Sequence, residues 1–159
     1  MKDQTHTNGV TEYPTVKRRS SSPCSEVVYR VQDKDGRGPW KPGFSAVWCE
    51  DREDHENLLP WYSEFGAVHE KAIYGMTVGS ACRTLKQLRR WFTESEYKTL
   101  KKHGYRCVKL QVGRVIAESE IQLFVERSRA FNRGAKTINL YPQNEIGQPS
   151  ADKKPNKLN

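Results

Sequence analysis

Paired cysteines are missing. Cys24, Cys49, Cys82 and Cys107 stand far apart, with no Cys-x-x-Cys spacing, and no secretory segment precedes them. They read as free thiols in a reducing compartment. His55, His69 and His103 show no ligand spacing, so no metal is expected. No apolar run approaches the length of a membrane span, and Met1 to Val10 is too polar for a signal peptide. The expected location is cytoplasmic. Gly-Lys-Ser/Thr, which a P-loop requires, is absent, as is any internal repeat. Apolar residues make up only 35% of the 159 residues, and the shortfall points to polar tails around one ordinary domain.

Positive charge is abundant. The chain carries a net +8, which favours nucleic acid, a nucleic-acid-bound protein or an anionic small molecule as partner. Residues 1–24 lack periodicity, hold the run Lys17-Arg18-Arg19-Ser20-Ser21-Ser22, and read as a flexible tail. Residues 25–141 read as a single domain, and 142–159 as a second flexible tail. The domain opens with a strand from Ser25 to Gln32. Val27, Tyr29 and Val31 lie on one face, with Val28, Arg30 and Gln32 on the other. A turn follows over Asp33 to Pro39. Its Gly36 and Gly38 let backbone approach a ligand and offer N–H groups to an anion.

Trp40 to Gly66 is irregular but rich in aromatics, which either cap the core or stack on a base or nicotinamide ring. Pro60 predicts a short helix over Trp61 to Phe65. A short strand is expected near Gly79 to Cys82. Capping boxes then predict two helices: Thr84 with Gln87 before Leu85 to Phe92, and Thr93 with Glu96 before Tyr97, ending at Gly104. Lys86, Arg89, Arg90, Lys98, Lys101 and Lys102 crowd these helices as a candidate footprint for an acidic target. Tyr105 to Val112 and Ala135 to Tyr141 read as further strands.

Arg114 to Arg127 alternates throughout and reads as one long strand. Glu118, Glu120 and Gln122 then form a row on one face, neighbours roughly 7 Å apart at about 3.3 Å rise per residue. Such a row is a wet strand face, or a floor of acceptors in a cleft that holds hydroxyls or a developing positive charge.

The order of these elements resembles the ADP-ribosyltransferase fold of toxins and small phage effectors. The residues that carry the likeness are Tyr29-Arg30 on the first strand, Ser80 on a second, and Glu118-Ser119-Glu120 followed by Ile121 on a later one. The resemblance implies an α+β domain of two small, mostly antiparallel sheets with flanking helices. It also implies NAD as cofactor and transfer of ADP-ribose to a macromolecular target, a protein or a nucleic-acid-bound complex in a host cytosol.

In that frame Glu120 stabilises the oxocarbenium-like sugar, with Glu118 upstream helping to activate the acceptor and Gln122 an alternative to Glu120. Tyr29 and Arg30 lie at the cofactor. The Arg30 guanidinium forks onto an NAD phosphate, Gly36 and Gly38 bring backbone donors, and Ser80 holds strand geometry or a ribose hydroxyl. The competing reading is a non-catalytic basic protein that blocks a nucleic acid or nucleoprotein complex through Leu85 to Lys102. A metal-dependent nuclease using Glu118 and Glu120 lacks the further acidic cluster it needs.

Overall fold

The computed structural model describes residues 25–143. The expected tails lie outside the described residues, apart from Pro142 and Gln143. The architecture is α+β, with two three-stranded antiparallel sheets and four helices. One sheet has the order β1-β3-β6, from β1 (Glu26–Gln32), β3 (Arg106–Val112) and β6 (Lys136–Ile138). The other has the order β2-β5-β4, from β2 (Thr77–Ala81), β5 (Leu123–Arg127) and β4 (Arg114–Glu118). One bridge joins the sheets: Tyr29 and Cys82 exchange backbone hydrogen bonds of 2.8 Å in both directions.

The four helices are α1 (Ser45–Trp48), α2 (Trp61–Phe65), α3 (Leu85–Trp91) and α4 (Glu94–Lys102). Pro60 opens α2 without a side-chain cap; its carbonyl accepts from the N–H groups of Ser63 and Glu64. The capping box of α4 is complete. Thr93 accepts from the Glu96 N–H at 3.2 Å, and Glu96 accepts from the Thr93 N–H at 2.9 Å. At α3 the Thr84 side chain caps, but Gln87 reaches one residue further back, to the Arg83 N–H at 2.7 Å. Thr93→Ala removes one cap bond and should cost about 1 kcal/mol in urea unfolding.

The long strand expected over Arg114 to Arg127 is two strands. β4 ends at Glu118, the chain reverses over 119–122, and β5 returns antiparallel beside β4. Ser119 makes the turn: its hydroxyl accepts from the N–H groups of Ile121 and Gln122, both at 3.2 Å. Its own N–H donates to the Gln122 carbonyl at 2.9 Å. Serine competes with the sheet ladder through such local bonds. A bulge between Val115 and Ala117 adds a further irregularity. The last strand is also shorter than its apolar letters suggest, since β6 stops at Ile138.

Three apolar clusters hold these layers. Val31 of β1 and Cys107 of β3 pack with Trp91 of α3, Leu100 of α4 and Leu140 in one cluster. Val28, Ala81, Leu110, Leu123 and Val125 fill the space between the sheets. Phe124 stacks on Trp61 at 4.4 Å between ring centres, which fastens α2 to β5. Cys49, Cys82 and Cys107 are free thiols; Cys24 lies outside the described residues. Among the described residues, no helix is long and apolar enough to cross a membrane.

Candidate functional site

Beside the Tyr29–Cys82 bridge lies a cleft of about 420 Å³, within the usual range for a small-molecule site. Its polar residues are Arg30 from β1, Ser80 from β2 and Gln122 at the head of β5. Five aromatic residues stand in its walls: Trp40 after the glycine turn, Trp61 and Tyr62 on α2, Trp91 and Phe92 at the end of α3.

Arg30 is 9% exposed. One guanidinium nitrogen, Nη2, donates to the Gly36 carbonyl at 3.3 Å, and the group lies 3.9 Å from the centre of the Phe131 ring. Nε and Nη1 are buried with no hydrogen-bond partner. Burial, then the nearby Arg127 charge, pull the Arg30 pKa down to about 10 against a weaker opposing pull from Asp33. A buried cation with two idle donors is costly. Gly79 makes room for it. A Cβ there would stand 3.0 Å from the Phe131 ring and 3.2 Å from Nη1 of Arg30.

Gln122 is 1% exposed and ties three elements together. Its Oε1 accepts from the Ser80 hydroxyl at 2.8 Å. Its Nε2 donates to the Leu59 carbonyl at 2.7 Å and to Oε2 of Glu64 at 2.6 Å. The amide therefore latches the α2 wall to β2 and β5. Its carbonyl is polarised by a carboxylate on the far side of the amide.

Arg30, Ser80, Gln122 and Gly38 come together in the cleft; the other expected site residues do not. The acceptor row fails because the Ser119 turn ends the alternation on which it depended. Glu118 accepts a bidentate pair from Arg83 at 2.7 and 2.8 Å, and Arg83 also donates to Glu26 at 2.7 Å. These carboxylates hold the Arg83 pKa above its ordinary value. The Glu120 side chain is 91% exposed, with Arg90 3.4 Å away. Tyr29 contributes its backbone to the bridge between sheets and does not line the cleft. Gly36 has φ 84° and serves packing, since a Cβ there would meet the Asn132 nitrogen at 2.8 Å.

The basic footprint on α3 and α4 is partly spent inside the fold. Arg89 donates to the Leu140 carbonyl, Arg90 pairs with Glu120, and Lys98 pairs with Glu94.

Residues that sequence reasoning missed lie mostly in the irregular segment. Glu64 and Leu59 reach Gln122 across about sixty residues of chain, and no local pattern signals such a contact. Arg127 is buried and fastens the loop after β5, donating to the carbonyls of Ala130, Phe131 and Arg133. Its burial was hidden by the alternation that put it at the end of a long strand.

No curated protein and no solved structure matches the chain. Residues 21–139 match the profile of the family described as Bacteriophage T4 Y00F protein, which covers nearly all of the described fold and every residue of the cleft. The chain therefore belongs to the bacteriophage T4 Y00F protein family and is a phage protein.

Proposed function

We propose that the cleft binds NAD and that the chain is an ADP-ribosyltransferase-like mono-ADP-ribosyltransferase acting on a macromolecular target in the host cytosol. The observation that carries this reading is the Arg30 guanidinium, buried beside a groove that holds five aromatic side chains, with Nε and Nη1 unpartnered. A dinucleotide supplies what the groove lacks. Nε and Nη1 are closed to solvent, so its diphosphate accepts from them once the Arg30 side chain turns toward the cleft, and a flat ring lies against Trp40 or the Trp61–Tyr62 wall. Ser80 and Gln122 offer a hydroxyl and a carbonyl to the ribose.

The reacting end then follows from Gln122 instead of Glu120. The bond from the ribose C1′ to the nicotinamide nitrogen breaks, and nicotinamide leaves with the electron pair. The target's nucleophile bonds to C1′ and gives its proton to solvent. The sugar is cationic in between. Gln122 Oε1, made more negative by its bond to the Glu64 carboxylate, is the acceptor that faces this charge.

The test is nicotinamide release together with a mass gain of one ADP-ribose on host proteins incubated with the full chain and NAD. Both are expected. Glu120→Gln should leave the rate within about twofold, because an exposed carboxylate outside the cleft contributes little to a barrier inside it. Absence of both nicotinamide release and mass gain would remove the transferase reading. A tenfold loss in Glu120→Gln would return the catalytic role to the exposed turn.

A further inference from the structure

We propose that the bare half of the β1-β3-β6 sheet binds single-stranded nucleic acid. Residues directly opposite one another in antiparallel strands share a face of the sheet. The pairs Tyr29–Lys109 and Lys109–Lys136 therefore set three side chains in one row across the three strands. The next row on one side is Val27 with Gln111. On the other side it is Val31 with Cys107 and Ile138. That second row is covered, since Val31 and Cys107 are buried in the cluster with α3 and α4. Beyond this cover the face is open. Val27 is 38% exposed, Lys109, Gln111 and Lys136 are exposed, and Tyr29 is half-buried at the boundary.

The charges on this face are all of one sign. Glu26 is the only carboxylate in the three strands; it belongs to the other face, opposite Val112, and accepts from Arg83 at 2.7 Å. Lysines directly opposite each other repel, and a face made only to be wetted mixes the two signs. Among the described residues, no ion pair includes Lys109, Lys136 or Arg89. Arg89 adds a third cation at the covered edge. Its Nε donates to the Leu140 carbonyl at 2.9 Å, and its charge acts on Cys107, the neighbour of Lys109 on this face. Phosphates supply the missing negative charge at all three. The bases then meet Tyr29 and Val27, with the Gln111 amide placed to bond a base edge. A duplex hides its base faces, so the Tyr29–Val27 strip selects a single strand. Tyr29, Lys109 and Lys136 do not line the cleft, so the inference stands without the NAD reading.

The test is fluorescence anisotropy of a labelled oligothymidine of about twelve nucleotides, titrated with the full-length chain across a salt series. Saturable binding that weakens with salt is expected. Lys109→Gln with Lys136→Gln should weaken it about tenfold and flatten the plot of log K against log salt by about 1.4, at about 0.7 per phosphate contact. Val27→Glu, which sets a carboxylate on the open face, should weaken it about tenfold as well. Tyr29→Leu should weaken it at least about fivefold with the salt slope unchanged, because stacking releases no counterion. No binding of the oligonucleotide, or binding unaltered by both the double lysine change and Val27→Glu, would overturn the surface. Polyglutamate or a duplex bound as tightly as oligothymidine would overturn the single-strand assignment. Should Tyr29→Leu not fold, the exposed positions 27, 109 and 136 decide alone.

Discussion

Arg30→Met is expected to weaken NAD binding about 100-fold while leaving the protein as stable as before, or more so. The two effects have one origin. Burial, then the Arg127 charge, pull the guanidinium pKa down to about 10, which corresponds to about 3 kcal/mol of unfavourable environment. The Phe131 ring and the Gly36 carbonyl return part of that, at about 1–2 kcal/mol for the ring. Methionine fills a similar volume without the charge, so the net change in unfolding free energy should lie between zero and roughly 2 kcal/mol of stabilisation. Binding moves the other way. A diphosphate loses a charge-assisted pair worth about 3 kcal/mol, which is roughly two decades in Kd. A thermal melt and a binding isotherm on the same sample check both. Loss of binding with a lower melting temperature would mean that Arg30 is a structural residue.

Gln122→Ala is expected to be the most damaging single change at the cleft. It leaves the Ser80 hydroxyl, the Leu59 carbonyl and the Glu64 carboxylate without their shared partner. Unpaired groups that are largely buried cost about 1–3 kcal/mol each, but these are only part-buried and water can reach some of them. A total of roughly 3 kcal/mol is the expected loss, seen as a fall of roughly 10 °C in melting temperature. Because the amide latches α2, the Trp61–Tyr62 wall should loosen as well. Hydrogen exchange across Leu58 to Phe65 should then speed up more than exchange in β1 or β3. Uniform acceleration over the whole domain would mean that Gln122 supports the core and not the wall.

The sequence carries local information well where a side chain acts on its own neighbourhood. The Thr93–Glu96 capping box, the Pro60 start of α2 and the alternation in β1 all correspond to elements of the fold. Arg30 can be placed because it sits on a strand with clear alternation, whereas Ser80 is named only through the family resemblance, on a strand expected near Gly79 to Cys82. The acidic row could not be read correctly. Its letters keep period two through the very residues that reverse the chain, and the turn is made by a serine hydroxyl without glycine, proline or asparagine. The alternation therefore predicts a strand face for Glu120 that the turn removes.

Long-range polar contacts are the other loss. The contacts of Gln122 with Glu64 and Leu59 depend on how an irregular segment is laid across the finished fold. No spacing rule encodes that placement.

Three of the chain's four tryptophans, Trp40, Trp61 and Trp91, line the cleft. Titrating the wild-type chain with NAD and following tryptophan emission therefore tests the binding claim at its source. The expected result is saturable quenching with a Kd between about 1 μM and 1 mM, the range of ordinary cofactor affinities. The Kd should rise about 100-fold in Arg30→Met and stay unchanged in Glu120→Gln. Emission that falls only linearly with NAD, by the same amount in all three proteins, would show that the groove beside Arg30 does not hold the dinucleotide.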